Sequence, residues 1–332
     1  MTSLRLQRQL LSHNISTLVI INILCAVMWF LPFVIGAGPA VGENIKIAGI
    51  SLGIIHPLVA SIVQFLLWII IGFITTRILE KQKIIPTYNY FFFYLFLIVG
   101  TVTPALQTFG NNTIAFAFLL LAFHSTLSYD IHNNIIYSTF NSYLYLTIAT
   151  LFNIELILLL PAYWLVLTAV QQISWKGFIA SIFAIFTISA IICGVGYLLN
   201  VTDEIIQHYN ILNFENIFNF TLFKQLQPIS WIGIGLCVVW FAFYVFMDYA
   251  DFSEYNISVR RHFNFYITLF IIMLIIYAMN TAVLINLLPI MALLFAFFIT
   301  IYYLKHNNLF SEIILITFII LCTAYRIAIL LF

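Results

Sequence analysis

Apolar residues run along this chain in long blocks, interrupted by short stretches of glycine, proline, asparagine and charge. About twenty consecutive apolar residues span the hydrocarbon of a bilayer as a helix, and an open sheet edge is not tolerated there. The blocks therefore predict helices at 16–35, 57–76, 89–106, 113–129, 135–152, 154–171, 177–198, 229–247, 264–279, 282–302 and 310–330. The expected fold is an all-α polytopic transmembrane bundle of about eleven helices, with residues 1–332 forming one integral membrane domain.

The breaks between blocks are mostly short. Residues 36–56 form the first outer loop and contain "GAGPAVGENIK". Residues 199–228 form a second outer segment. There Ile205, Ile206, Tyr209 and Leu212 recur at helical spacing, followed by Phe218, Leu222 and Phe223, which predicts amphipathic helix lying on the membrane surface. The stretch 248–264 mixes acids, tyrosines and the Arg260–Arg261 pair and reads as a solvated connector with basic anchors. At the start, Leu4, Leu6, Leu10 and Leu11 with Arg5 and Arg8 read as an interfacial lead-in to the first helix. That helix is longer than the 7–15-residue core of a signal peptide.

Composition agrees with this pattern. Hydrophobic residues make up 64% of the chain and charged residues 7%, against about 25% charged in soluble domains. Mean hydropathy is +1.11. A net charge of +1 gives no basic field and no reason to expect nucleic acid as a partner. Cys25, Cys193, Cys237 and Cys322 stand singly in apolar runs, so neither a disulfide framework nor a zinc site is indicated. Lysine and arginine set orientation, because cytoplasmic loops hold their excess. With the N-terminus cytoplasmic, Arg5, Arg8, Arg77, Lys81, Lys83, Lys176, Arg260, Arg261 and Lys305 fall inside. Lys46, Lys224 and Arg326 fall outside. Losing the helix at 135–152 would invert everything after it.

Few residues offer chemistry. Gly36, Gly38 and Gly42 resemble a dinucleotide loop, but such a loop follows a strand and opens a helix, which the context here denies. "GAGPAVGENIK" reads first as a turn. It also reads as a site: Glu43, its only acid, would be a general base accepting the proton of an attacking hydroxyl, and Lys46 would meet a phosphate as a point charge. Ionisable groups in membrane helices are costly and are functional candidates by default. His124 lies within the fourth helix, His56 at the mouth of the second and Glu155 at the outer mouth of the sixth, and all three are candidate substrate-binding residues. Their plain readings are an interhelical hydrogen bond for a histidine and snorkelling to the interface for Glu155 and Arg326. Asp203 and Glu204 are adjacent and do not face each other in a helix. Gln64, Gln107 and Asn141 are expected to bond between helices. Tyr88, Tyr90, Tyr163, Trp164, Trp175, Trp231, Tyr302 and Tyr303 near helix ends read as an aromatic belt. No HExxH, GxSxG or metal cluster appears.

Residues 84–176 carry a resemblance. "IIPTYNYFFFYLFLIVGTVTPAL" leads to an "N…FAFLLLAF" helix, an "FNSYL…IATLF" short helix, an apolar helix and a W-K turn. This order resembles an uncharacterised family of integral membrane proteins from Bacteroidetes bacteria, a domain of unknown function. The resemblance implies an inner-membrane protein and carries over no activity or site residue. The same stretch is distantly similar to the middle of GT-C glycosyltransferases, which use polyprenyl-phosphate sugars at the outer face and have an acid in the first outer loop. Glu43 stands where that acid would be, although those enzymes often have an aspartate with polar neighbours there.

The leading expectation is a GT-C-like transferase, or a relative, handling a polyprenyl-linked glycan at the outer face of a bacterial inner membrane. The lipid carrier would lie in a groove between the helices and the 199–228 segment. The alternative is a non-catalytic membrane subunit or scaffold of an envelope-assembly or secretion complex, binding protein partners through its helices. A transporter has less behind it, because no second, corresponding half of broken helices is found.

Overall fold

The computed structural model describes residues 10, 15–36, 44–103, 106–107, 109–128, 135–172, 174–210, 228–279, 284–306 and 308–331. Twelve α-helices lie among them: α1 (Ile15–Val34), α2 (Pro57–Lys81), α3 (Phe91–Val102), α4 (Asn111–Leu127), α5 (Ile135–Phe152), α6 (Leu159–Ala169), α7 (Trp175–Leu199), α8 (Thr202–Asn210), α9 (Pro228–Ala250), α10 (Ile257–Met279), α11 (Leu284–Lys305) and α12 (Leu309–Leu331). The fold is an all-α helical bundle. Every apolar block read from the sequence carries a helix, and six of these helices (α1, α2, α7, α10, α11 and α12) contain stretches long and apolar enough to cross a membrane. Large apolar side chains point outward along them, including Ile23, Leu24 and Val27 on α1 and Phe183, Phe186 and Ile191 on α7. A soluble protein does not expose such continuous apolar faces, whereas lipid covers them without cost. The chain is a multi-pass membrane protein.

The bundle is organised around α3. Its residues Phe91–Leu97 are each 2% exposed or less, and it packs against α1, α2, α11 and α12. At twelve residues it is roughly 18 Å long, shorter than the hydrocarbon layer of about 30 Å. Burial on all sides relieves it of any need to match that thickness. Asn89 Oδ1 accepts from the N–H of Phe91 (2.9 Å) at its start. Gly100 lets the indole of Trp68 on α2 lie directly against the α3 backbone, where its Nε1 donates to Phe96 O (3.2 Å). Beside α3 lies α11, buried through most of its length.

A second group, α4, α5 and α7, packs tightly together. Here α5 is rich in hydroxyls. Thr139, Ser142 and Thr147 each donate to the backbone carbonyl four residues earlier, and Thr150 to Thr147 O. This self-satisfaction lets a comparatively polar helix sit in the interior. Gly177, Ala180, Ser181 and Ala184 line the buried face of α7, and such small residues let helix backbones approach in a membrane. Ser174 Oγ accepts from Gly177 N at the start of α7. Asn200, in the left-handed conformation (φ 56°), ends it.

One feature differs from the sequence reading. The stretch 36–56, read as a loop, holds a β-hairpin, β1 (Asn44–Ile47) and β2 (Ile50–Ile54), antiparallel with Ile47 opposite Ile50 and Lys46 opposite Ser51. Its turn, Ala48–Gly49, has both φ angles positive (49° and 89°), the backbone that suits the twist of a two-residue hairpin. Within 199–228, the helix α8 covers Thr202–Asn210, with Ile205 turned inward beside Gly196 and Ile206 outward. Residues 211–227 of that segment, Lys224 among them, lie outside the described residues, as do Arg5 and Arg8.

Interhelical bonds show which helix ends share a side. At one end, Ala48 N donates to Leu151 O and Lys46 N to Asn111 Oδ1, joining the hairpin to α4 and α5. At the other, Ser258 Oγ donates to Gln82 O, Arg261 to Thr126 O and Gln172 to Thr126 O. Of the described lysines and arginines, Arg77, Lys81, Lys83, Lys176, Arg260, Arg261 and Lys305 belong to this second, basic end. Lys46 and Arg326 belong to the hairpin end. Lys305 reaches Asp251 (3.1 Å) and Glu254 (2.7 Å) at the basic end, tying the end of α11 to the connector after α9.

The aromatic belt is only partly as expected. Tyr88 and Trp175 are exposed, but Tyr90, Tyr163, Tyr302 and Tyr303 are buried packing residues. Tyr163 OH lies 2.7 Å from Thr126 Oγ1, and Tyr244 OH lies 3.1 Å from Tyr303 OH. Nearness to a helix end does not distinguish an aromatic facing lipid from one facing a neighbouring helix.

Candidate functional site

Two apolar stripes face each other without closing. On α2, Leu67, Ile70, Ile71, Ile74, Ile78 and Leu79 recur every three or four residues. On α4, Ile114, Ala117, Leu120, Leu121 and Leu127 do the same. That spacing puts each set on one helix face. α2 packs chiefly on α3, and α4 chiefly on α5, so the space between the two stripes remains as a cavity of about 700 Å³. This falls in the usual range for a small-molecule pocket, and its walls are almost entirely hydrocarbon.

The cavity follows the helices from one end of the bundle toward the other. Phe109 and Thr113 stand at its hairpin end, and Gln82, His124 and Tyr266 at its basic end. Along α4, Asn111 and His124 are roughly 20 Å apart.

Hydrogen-bonded polar groups gather at the hairpin end. Thr113 Oγ1 donates to Gln64 Oε1 (2.7 Å), and Gln64 Nε2 to Leu106 O (2.8 Å). Gln107 Nε2 donates to Thr101 O (2.9 Å), while its Oε1 accepts from Arg326 Nη2 (2.7 Å). Asn111 Oδ1 holds the Lys46 N–H (2.9 Å), and Asn111 Nδ2 donates to Phe152 O. Asn153 Nδ2 donates to Asn112 Oδ1, and Asn153 Oδ1 accepts from Glu155 N. The hairpin therefore sits beside the start of α4, two residues from Thr113.

At the basic end, His262 lies with Nδ1 2.9 Å from Ser258 O and Nε2 2.7 Å from Gln82 Oε1. Both partners are acceptors. A neutral ring takes this position with the Gln82 carboxamide turned over, so that its NH2 donates to Nε2. Gln82 Nε2, His124 Nδ1 and Gln172 Oε1 are buried with no hydrogen-bond partner among the described residues.

The sequence-derived candidates divide accordingly. Glu43 lies outside the described residues. Lys46 and His56 are exposed at the hairpin end, and Glu155 is half-buried there. His124 lines the cavity at the opposite end, so it does not join the other three. Arg326 is corrected outright. Expected to snorkel, it is 1% exposed, because α12 is packed against α3 and the guanidinium turns inward to Gln107. Gln64 and Gln107 bond between segments as expected. Gln82, Gln172 and His262 are absent from the sequence-derived candidates. Gln82 and Gln172 stand just beyond helix ends and His262 in the second turn of α10, where polar residues attract no notice. Among the described residues, no three His, Cys, Asp or Glu side chains gather to hold a metal ion.

The fold and the cavity define a helical membrane protein with an intramembrane apolar pocket. Comparison of the chain with family profiles, with curated proteins and with solved structures returns no match.

Proposed function

We propose that this protein handles a lipid-linked substrate, with the hydrocarbon chain of the lipid in the cavity between α2 and α4. The observation that carries this reading is the cavity itself: about 700 Å³, hydrocarbon-walled, and set between two helices whose outer faces meet lipid. Water is a poor occupant of such a space, since a buried water needs two to four polar partners. A polyprenyl or acyl chain needs none.

The finer proposal is a GT-C-like glycosyl transfer from or to a polyprenyl-phosphate carrier at the outer face of a bacterial inner membrane, with the N-terminus in the cytoplasm. Two observations support it. The basic end of the bundle carries seven of the described lysines and arginines and the hairpin end two, a distribution that under the positive-inside rule supports an outward hairpin. The hairpin is also bonded to the start of α4, beside the hairpin end of the cavity. Glu43, directly before β1, would act as general base and Lys46 as a phosphate contact. His124, at the far end, would meet the tail of the carrier rather than its head.

The test has two parts. Lipid extracted from the purified protein and identified by mass spectrometry is expected to contain a long-chain lipid in stoichiometric amount, lost in Ala117→Trp. Glycan transfer in membranes is expected to fall at least about a hundredfold in Glu43→Gln, the usual scale for losing a general base. Unchanged lipid content in Ala117→Trp would remove the cavity from the reading, and unchanged transfer in Glu43→Gln would remove the base.

A second reading, a non-catalytic membrane subunit of an envelope-assembly or secretion complex, draws on α7, whose outward face from Phe183 to Val195 carries large unpaired apolar side chains. A stoichiometric protein partner co-purifying without bound lipid would favour it.

A further inference from the structure

Arg326 is a cation without a counter-charge among the described residues. It is 1% exposed, sits in the last third of α12, and takes part in none of the salt bridges found there. Its Nη2 donates to the neutral oxygen of Gln107 (2.7 Å), and its Nε has no partner among the described residues. A guanidinium carries five donors, and a desolvated charge is strongly unfavourable until an opposite charge and further hydrogen bonds compensate it. The C-terminal end of α3, to which Gln107 is bonded through Thr101 O, supplies only a partial negative charge.

Its position gives a counter-charge a source. Gln107 belongs to the short segment after α3 in which Leu106 O accepts from Gln64 and Phe109 lines the cavity. Thr113, bonded to the same Gln64, lines it too. Arg326 is thus one hydrogen bond from the segment whose Phe109 lines the hairpin end of the cavity. We propose that Arg326 is the binding site for a phosphate group entering at that end, and that the Gln107 carboxamide oxygen holds the place of a phosphate oxygen until one arrives. A guanidinium fork matches two phosphate oxygens, which an amide oxygen cannot offer. In the lipid-bearing state the phosphate follows the chain already seated between α2 and α4, a refinement that rests on the reading of the cavity given above. A free phosphate reaching Arg326 from the outer side is the same chemistry from a different source.

The experiment compares farnesyl phosphate, farnesol and inorganic phosphate on the purified full chain in detergent, with dissociation constants read from tryptophan fluorescence. Farnesyl phosphate is expected to bind at least about tenfold more tightly than farnesol, the scale of one charge-assisted hydrogen bond. In Arg326→Met this gap closes while farnesol affinity stays within about twofold of the wild type. In Gln107→Leu, which removes the competing oxygen, the gap is kept or widened; a purely structural pairing of Arg326 with Gln107 would leave no gap in any variant. Should Arg326→Met fail to fold, Arg326→Lys, which keeps the charge and loses the fork, is expected to narrow the gap. Equal wild-type affinity for the two isoprenoids, or a gap that survives in Arg326→Met, overturns the phosphate site and leaves the cavity reading standing. Binding of inorganic phosphate that disappears in Arg326→Met, with no farnesol binding, upholds the site with free phosphate as its source and removes the chain from the cavity. Binding of none of the three overturns both.

Discussion

Replacing Gly100 with alanine drives a methyl group into the indole of Trp68. The new Cβ would overlap Trp68 Nε1 and stand 2.6 Å from Cε2 and 2.9 Å from Cδ1, where ordinary contact begins near 3.4 Å, so one partner must move. The indole is poorly able to yield. It is wholly buried, stacked on Phe96 at 4.4 Å and on Phe116 at 5.9 Å, and its Nε1 donates to Phe96 O. Overpacking of this kind costs about 1–3 kcal/mol. Losing the indole hydrogen bond adds about 1 kcal/mol. Against this, exchanging glycine for alanine inside a helix returns about 1 kcal/mol. The net expectation is a destabilisation of about 1–3 kcal/mol.

A matched control isolates the contact. A methyl added at Gly194 on α7 meets nothing within 4 Å, so Gly194→Ala keeps only the propensity gain and is expected to be neutral or stabilising by up to about 1 kcal/mol. Reversible unfolding in mixed micelles, titrated with dodecyl sulfate and followed by circular dichroism, measures both. Trp68→Phe in the Gly100→Ala background removes the crowded atoms and is expected to recover part of the loss. A Gly100→Ala protein as stable as Gly194→Ala would mean that α2 does not lie against the α3 backbone, and the position of the cavity wall would fall with it.

Tyr163→Phe removes one of several partners of Thr126 Oγ1, which keeps Ser142 Oγ at 2.8 Å and Ala122 O at 3.2 Å. The same unfolding titration should show a loss of only about 0.6 kcal/mol, typical of a polar contact between membrane helices. Lys305→Met leaves Asp251 with His306 Nε2 at 3.4 Å and breaks partly exposed ion pairs. The expected cost is under about 1 kcal/mol and shrinks with added salt. A cysteine at Lys46, in a background where Cys193 and the other native cysteines are serine, is expected to react in intact spheroplasts with a membrane-impermeant maleimide. A cysteine at Lys83 is expected to react only after lysis; the reverse pattern would invert the bundle.

Much of the fold is legible in the sequence because hydrophobicity in a bilayer is a length requirement, and eleven blocks of apolar residues meet it or nearly do. What the blocks conceal is which helix is central. "FFFYLFLIV" on α3 and "FAIFTISAII" on α7 are both strongly apolar, yet Phe91–Leu97 of the first are buried and the second faces outward over much of its surface. Lipid and protein interior are equally apolar, so composition does not separate them. The hairpin reads only as a turn because its strands are too short to show a period. Its turn at Ala48–Gly49 takes two positive φ angles without an Asn-Gly or Asp-Gly signal, and the bonds that anchor it, to Asn111 and Leu151, are tertiary. The cavity is the least legible feature. The stripes on α2 and α4 have the spacing of packed faces, and nothing in either shows that each helix finds its main contacts elsewhere. Arg326 stands out in the sequence by its charge, and its place near the end of a helix suggests a solvated role that the structure denies. Depth along a helix does not decide whether a side chain reaches water; what covers it does. Here α3 and Gln107 cover it, so a charge that an interface would have left solvated is buried.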